Sequence, residues 1–374
     1  MVTLKQIAEQ AGTTAATVSL ALRGAPNVST ARKAEIQRIA DSLGYRRNAH
    51  ISTLMRHIRQ GRKTLPRQST IALVLAHPRR DARKHYVFID RRFQGMEARL
   101  AERGYRSQTF WYNDPECPPQ RLERILEARG IRGLVLALFQ EYEPGIRLTW
   151  DKFAVATQSD FTQGPMIHRI KEDYFGNVIQ AMTHLWQSGC RRIGLAHNYQ
   201  HARSARFESM AAYHEFMARA RGTFNDMPAV RIPEIAGQWG ERFFMDWFRR
   251  EKPDAVLTFD WTIPAWLRSA GLRVPEDVSV AVLNRCPSAP EMSGVDPLPE
   301  RLGSISVDLV LEQIESNEIG LPNIPRVITI PGRWEPGGTT RPTAVHGDAA
   351  KDWRLGMPFL LVPPPVTGLH EKNT

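Results

Sequence analysis

The sequence predicts an α/β protein with a small all-α helix-turn-helix head and a two-lobed body built on parallel sheets. Three observations lead there. Apolar residues recur at helical spacing through residues 4–43, and from Thr70 onward short apolar runs alternate with amphipathic stretches. Positive charge is also concentrated at one end of the chain. Of 50 Lys and Arg and 39 Asp and Glu, residues 1–68 hold 12 basic residues against Glu9, Glu35 and Asp41, a net +9 of the total +11. The rest of the chain has 38 against 36 and is nearly neutral. A cationic head on a neutral body fits a module that neutralises phosphates, whereas a membrane-surface protein would pair its charge with an amphipathic apolar face.

In chain order, Ile7, Ala8 and Ala11 share one helical face, Gly12 allows a tight turn, and Val18, Ala21 and Leu22 repeat the pattern on a second helix. The other face of that helix, with Ala15, Ala16, Ser19 and Leu20, is left to enter a major groove. Ser29 is placed to cap a third helix running to about Leu43, whose buried side is expected to comprise Ala34, Ile36, Ile39, Ala40 and Leu43; Gly44 ends it.

The motifs Val2-Thr-Leu-Lys-x-Ile-Ala-x-x-Ala-Gly, Ala16-Thr-Val-Ser, Asn27-Val-Ser and Leu43-Gly-Tyr45 together resemble the lactose/galactose repressor (LacI-type) family, and the resemblance extends to about Thr340. It implies a transcriptional regulator, expected to be a repressor, that binds a pseudo-palindromic double-stranded operator as a homodimer. Carried over position by position, Ala15, Ala16 and Leu20 read bases, Thr14, Thr17, Ser19 and Asn27 mainly fix the backbone, and Thr3, Arg23 and Ser29 are further DNA-binding residues. The stretch Arg46–Leu54 aligns with the family's hinge helix, with Asn48 and Ile51 on the DNA and Leu54 as a minor-groove wedge. The family's usual Ala-Arg-Ser-Leu tetrad is Ile51-Ser-Thr-Leu54 here, so an arginine is missing. A long basic connector follows, in which Arg56, Arg59, Arg62, Lys63 and Arg67 can track phosphates.

In the body, strands are expected at 71–76, 107–112, 134–139, 192–197, 255–259 and 278–283, and helices at 88–103, 120–129, 174–188, 205–219, 240–250 and 302–314. The blocks Gly189-Cys-Arg-Arg-Ile-Gly-Leu195, Lys252-Pro-Asp-Ala-Val256 and Gly271–Ser279 are similar to the family's periplasmic-binding-protein-like body, which implies a ligand cleft outside the carboxyl ends of the strands. The arginine and aspartate with which the family holds a sugar or purine are replaced here by Ser209 and Asn284. Asp260 and Arg206 become the leading polar candidates, and Tyr86, Phe88 and Trp239, with Phe259 and Trp261 nearby, supply rings that suit the apolar face of a sugar-like effector.

The expected division is a DNA-binding head at 1–46, hinge and connector at 47–68, and an effector-binding and dimerisation body at 69–340. Within the body the first lobe takes about 69–160 and 292–320, and the second about 161–291 and 321–340; 341–374 forms a Pro-rich tail without a leucine heptad. Cys117, Cys190 and Cys286 show no paired spacing, the 11 His show no metal spacing, and no nucleotide-binding or nucleophile-elbow motif occurs, so neither an enzyme nor a cofactor is expected. The longest apolar run, Leu134–Phe139, is far short of the roughly 20 residues a membrane helix needs, and the start reads as a polar helix rather than a secretory signal, which suggests a cytoplasmic, nucleoid-associated protein. Two alternatives share the two-lobed body: a solute-binding receptor, and a DNA-binding regulator whose body no longer binds a small molecule.

Overall fold

The computed structural model describes residues 3–22, 28–43, 69–77, 79–112, 114–137, 148–158, 165–197, 202, 205–221 and 239–343. The head consists of α1 (Leu4–Gln10), α2 (Ala15–Ala21) and α3 (Thr30–Ser42). Ile7, Ala8, Ala11, Val18, Ala21, Ile36 and Ala40 form its core, with Leu20, Leu22, Ile39 and Leu43 packed against it. Ala34 is exposed, contrary to expectation. Ile36, Ile39, Ala40 and Leu43 follow the i, i+3, i+4, i+7 stripe, and a residue two positions before Ile36 falls on the opposite side of the helix.

The body has two sheets. The first runs β10-β5-β4-β3-β1-β2 and the second β11-β9-β8-β7-β6. Chain order gives β1 (Thr70–Leu75), α4 (Ala82–His85), α5 (Val87–Glu102), β2 (Arg106–Trp111), α6 (Pro119–Ala128), β3 (Gly133–Ala137), β4 (Ala154–Thr157) and β5 (His168–Glu172). Then follow α7 (Tyr174–Gln187), β6 (Ile193–Ala196), α8 (Glu208–Arg221), α9 (Glu241–Glu251), β7 (Ala255–Thr258), α10 (Ile263–Ser269), β8 (Ser279–Val282) and β9 (Ser293–Asp296). The chain closes with α11 (Pro299–Ser316), β10 (Val327–Ile330) and β11 (Arg333–Glu335). Pairing is parallel except between β11 and β9.

Each sheet is covered on both faces, which is why its inner strands read as unbroken apolar runs rather than alternations. Ile71, Leu73 and Leu75 pack with Phe93, Met96 and Leu100 of α5 and with Val307, Val310 and Ile314 of α11, while Ala72, Val74, Leu134 and Leu136 meet Leu122 and Leu126 of α6. In the second lobe, α7 and α8 cover one face and α9 and α10 the other. A buried Gln313 on α11 reaches over to Val155, donating to its carbonyl and accepting from its N–H.

The chain passes between sheets after Glu172, after Asp296 and after Ile330. The expected passages near 160, 291 and 320 are therefore displaced: His168–Glu172 and Val327–Ile330 belong to the first sheet and Ser293–Asp296 to the second. The strand His168-Arg-Ile-Lys-Glu172 is polar enough to read as a connection, yet four of its five residues are buried. Because β5, β9 and β10 all end at the passages, the carboxyl ends of both sheets face the junction between the lobes.

Two glycines let α5 and α11 touch backbone to backbone. A Cβ on Gly95 would stand 2.1 Å from the Glu300 carbonyl oxygen, and one on Gly303 would stand 2.2 Å from that of Arg92. Gly303→Val should therefore separate the helices and cost about 3 kcal/mol, lowering the thermal midpoint by roughly 6 °C or more. A midpoint within a degree of the parent in a thermal melt would show that the contact is not needed.

Candidate nucleic-acid interface and ligand cleft

The head is held in shape by hydroxyl caps. Thr3 and Gln6 form a capping box: the Gln6 N–H donates to Thr3 Oγ1 at 3.3 Å and the Thr3 N–H donates to Gln6 Oε1 at 2.8 Å. Thr14 Oγ1 accepts from the Thr17 N–H at 3.2 Å and lies 3.0 Å from the Thr17 hydroxyl. Ser29 Oγ accepts from the Arg32 N–H at 3.3 Å, and Arg32 itself donates to the Ala11 carbonyl at 2.6 Å, tying α3 to the turn after α1. Three of the expected DNA contacts, Thr3, Thr14 and Ser29, thus also satisfy helix ends that would otherwise be left open.

Gly12 takes φ +58° in the turn, with open space where a Cβ would be. Ala15 and Ala16 follow at the start of α2, both exposed, beside half-buried Thr17. Ser19 and Leu20 are half-buried, and Leu20 shares its side chain with the head core. The face offered by α2 is therefore small and largely apolar at its tip. Arg23, Asn27, Asn48, Ile51, Leu54 and Arg56, with the hinge and basic connector, lie outside the described residues.

At the junction of the lobes, β7 and β8 deliver Asp260 and Asn284 just beyond their carboxyl ends. Both are already engaged. Asp260 Oδ2 accepts from Trp239 Nε1 at 2.7 Å, and Oδ1 accepts from the Thr262 N–H at 2.9 Å and the Thr262 hydroxyl at 2.5 Å. Asn284 accepts from Trp261 Nε1 at 2.7 Å and donates to the Phe259 carbonyl at 3.1 Å. Phe259 stacks on His197, which follows β6, with centroids 4.8 Å apart. Trp239 and Asp260 thus pair with each other, and Trp261, Asn284 and Phe259 join beside them in a hydrogen-bonded rim of aromatic and polar groups.

The remaining candidates divide. Ser209, in the first turn of α8, is wholly buried and its Oγ has no hydrogen-bond partner among the described residues. Arg206 is exposed on a turn where it and Phe207 both have positive φ, 50° and 60°. Non-glycine residues rarely occupy that region, so the turn is strained. Tyr86 is exposed at the start of α5, with its ring 5.4 Å from that of His77. Phe88 is half-buried, and the Arg92 guanidinium covers its ring at 4.6 Å.

Sequence reasoning missed the charged groups that hold the passages. Arg91 donates to both oxygens of Asp296, at 3.1 and 2.9 Å, and to both of Glu300, at 2.5 and 2.8 Å. Its neighbour Arg92 donates to Glu172 at 2.5 Å, with both residues 5 % exposed. Burial pushes the Glu172 carboxyl above the usual carboxylate range, and Arg92 pulls it back. Lys171 of β5 pairs with Glu208 of α8, linking the two lobes directly. The signal available was Arg92 itself, a charge set in the apolar stripe of Ile89, Phe93 and Met96. Among the described residues, no cluster of His, Cys, Asp or Glu is suited to a metal ion, and no helix is long and apolar enough to cross a membrane.

Residues 3–48 match the family described as bacterial regulatory proteins, lacI family, and residues 182–340 match the periplasmic binding protein-like domain. The HTH-type transcriptional regulator MalR of Streptococcus pneumoniae serotype 4 is 20 % identical over 322 residues, 85 % of this chain and 94 % of that protein. Among solved structures, the transcriptional regulator CelR in complex with cellobiose aligns over 91 % of this chain and all of its own, with TM-score 0.59 and 22 % identity. The lac repressor dimer bound to operator and the anti-inducer ONPF gives 0.52 and 17 % over 91 % of this chain and 99 % of its own. A LacI family regulator from Enterococcus faecium with bound ribose gives 0.52 and 17 % over 73 % of this chain and 100 % of its own. At these identities the structural likenesses establish the fold.

The three bonds at Asp260 make a simple prediction. Asp260→Ala strands the half-buried Trp239 Nε1, while the exposed Thr262 groups can turn to water, and should cost about 1 kcal/mol of stability before any ligand is added. Calorimetry of the ligand-free variant checks this, and an unchanged melt would mean that the rim is not held by Asp260.

Proposed function

The chain belongs to the lacI family of bacterial regulatory proteins, and we propose that it is a dimeric, sequence-specific repressor whose affinity for a pseudo-palindromic operator is set by a sugar-like effector in the cleft. The observation that carries this reading is the join of a capped helix-turn-helix, within an N-terminal segment of net charge +9, to a body in which both sheets turn their carboxyl ends toward one junction. The family is one of regulators rather than enzymes, and the working site of this protein is the cytoplasm, on the nucleoid.

Readout by exposed Ala15 and Ala16 and half-buried Leu20 rests on apolar contact, because none of them has a hydrogen-bonding side chain. Their methyl and isobutyl groups suit the thymine 5-methyl, so T·A pairs are expected beneath them, and Leu54 favours an easily kinked step at the dyad. The aromatic rim with Asp260 and Asn284 suits a sugar, whose apolar faces stack on rings and whose hydroxyls exchange hydrogen bonds. A body without a small ligand is the competing reading, and the engagement of Asp260 and Asn284 by neighbouring groups favours it.

Selection of bound sequences from random DNA with the full chain tests the assignment. Two-fold-related half-sites are expected, with T·A under the α2 tip, and half-sites dominated by G·C would remove the apolar-readout idea while sparing the regulator. If the head and connector neutralise roughly 6 to 10 phosphates across a dimer, operator affinity should fall about a thousandfold or more between 50 and 200 mM salt. Replacing Arg56, Arg59 and Arg62 with Gln should flatten that dependence without changing the preferred sequence. An unaltered slope in anisotropy titrations would place the connector away from the DNA.

A further inference from the structure

We infer that the carboxyl-terminal segment Phe359–Val362 pairs with the open edge of β10 in its own chain, adding an antiparallel strand to the first sheet. Among the described residues β10 is the outermost strand of that sheet and is bonded on one side only, to β5. The Arg169 and Asp173 N–H groups donate to the carbonyls of Arg326 and Ile330, so by the two-residue period of a strand Val327 and Thr329 turn their own N–H and C=O outward. Both residues are exposed. Edge strands are usually guarded by charge, proline, a bulge or a covering element, and Val327-Ile-Thr-Ile330 has neither a charge nor a proline.

The surroundings are apolar as well. Eight large apolar side chains are exposed among the described residues, and four of them belong to the amino ends of β5 and β10: Met166, Leu321, Ile324 and Val327. The pairing of Val327 with Arg169 sets those two ends side by side. Ile324 is 83 % exposed and Met166 58 %. An apolar patch along an unpaired edge is the usual setting for an added strand, which supplies main-chain bonds and side chains together.

The end of the chain supplies a strand of the right kind. The match to the periplasmic binding protein-like domain stops at residue 340, and the 34 residues beyond it hold one apolar run, Met357-Pro-Phe-Leu-Leu-Val362, with no charge from Gly356 to Val366. Left in water, such a run invites association with other chains. Phe359–Val362 has four residues, as β10 has, and Pro358 and Pro363 cannot donate to a ladder, so the pairing would stop where β10 stops.

Reach and direction agree with this placement. Arg341 is anchored at the start of β8, its N–H donating to Ser279 Oγ at 3.2 Å and its guanidinium to the Glu276 carbonyl at 3.2 Å. Because β11 runs antiparallel to β9, the chain comes to Arg341 heading away from the first lobe, and a returning segment runs against β10. Ile330 precedes Arg341 by 11 residues, which span at most about 40 Å, whereas Phe359 follows it by 18, which can span about 60 Å. The chain is long enough. Phe359 then lies opposite Ile330, Leu360 opposite Thr329 and Val362 opposite Val327, and the segment bridges the lobes beside the passage that follows Ile330.

The test uses the full chain, with hydrogen exchange and cross-linking as readouts. The amides of Val327 and Thr329 should exchange at least about tenfold more slowly in the parent than in the variant Leu360→Asp, Leu361→Asp, whose circular dichroism should match the parent's. For cross-linking, Cys117→Ser leaves only the buried Cys190 and Cys286 as background. Thr329→Cys with Leu360→Cys should then close a disulfide within one chain at least about tenfold faster than Arg129→Cys with Leu360→Cys, a control at an exposed position after α6. Equal exchange in the parent and the folded variant, or a link no faster than the control, overturns the pairing. A link found only between chains shows that a second copy supplies the strand and overturns the assignment to the same chain.

Discussion

Two consecutive arginines on one helix hold the ends of two strands that carry the chain between lobes, and the geometry of the body depends on that grip. Arg91 clasps Asp296 at the end of β9, and Arg92 clasps Glu172 at the end of β5. The reciprocal contacts at Gly95 and Gly303 hold α5 against α11, beside the ion pair that Arg91 also makes with Glu300 of α11. The third passage is fixed separately, by the Asp173 N–H donating to the Ile330 carbonyl at 2.9 Å and the Gly332 N–H donating to Asn177 Oδ1 at 2.7 Å. A tightly packed pair of helices thus positions charge at a junction that must bend if the lobes are to move, and packed interfaces move between discrete arrangements rather than deforming smoothly.

The head solves a different problem with different means. Its helices are short, and isolated helices of that length are unstable in water, so the small core has to be supplemented by satisfied ends. Thr3, Thr14 and Ser29 provide this; under the proposed docking the same hydroxyls would also meet backbone phosphates. The tip of α2 carries alanines, which leave the backbone close to whatever lies opposite.

Much of this was legible in the sequence, for identifiable reasons. The head was readable because caps, glycine and apolar stripe all agree locally; Ala34 was misassigned by treating proximity in sequence as a shared face, and Leu20, expected on the free face of α2, also leans on the core. The inner strands β1 and β3 were readable as unbroken apolar runs. Strand β5 was not, because His168, Arg169, Lys171 and Glu172 resemble a surface segment until the partners of the last two, Glu208 and Arg92, come from elements far away in the chain. The same blindness displaced the lobe boundaries. Asp260 and Asn284 were placed at strand ends by alignment, but their engagement by two tryptophans and Thr262 depends on loops whose conformations no local pattern reveals. Arg92 stood in plain view within an apolar stripe, and its meaning required Glu172.

The central claim is that occupancy of the cleft is coupled to the head. Its most direct measurement is the operator affinity of the full chain at fixed salt, with and without a saturating neutral sugar shown to bind the body. The account predicts a change of about tenfold or more, within the range of typical coupling energies. Identical affinities with the cleft filled and empty would contradict it.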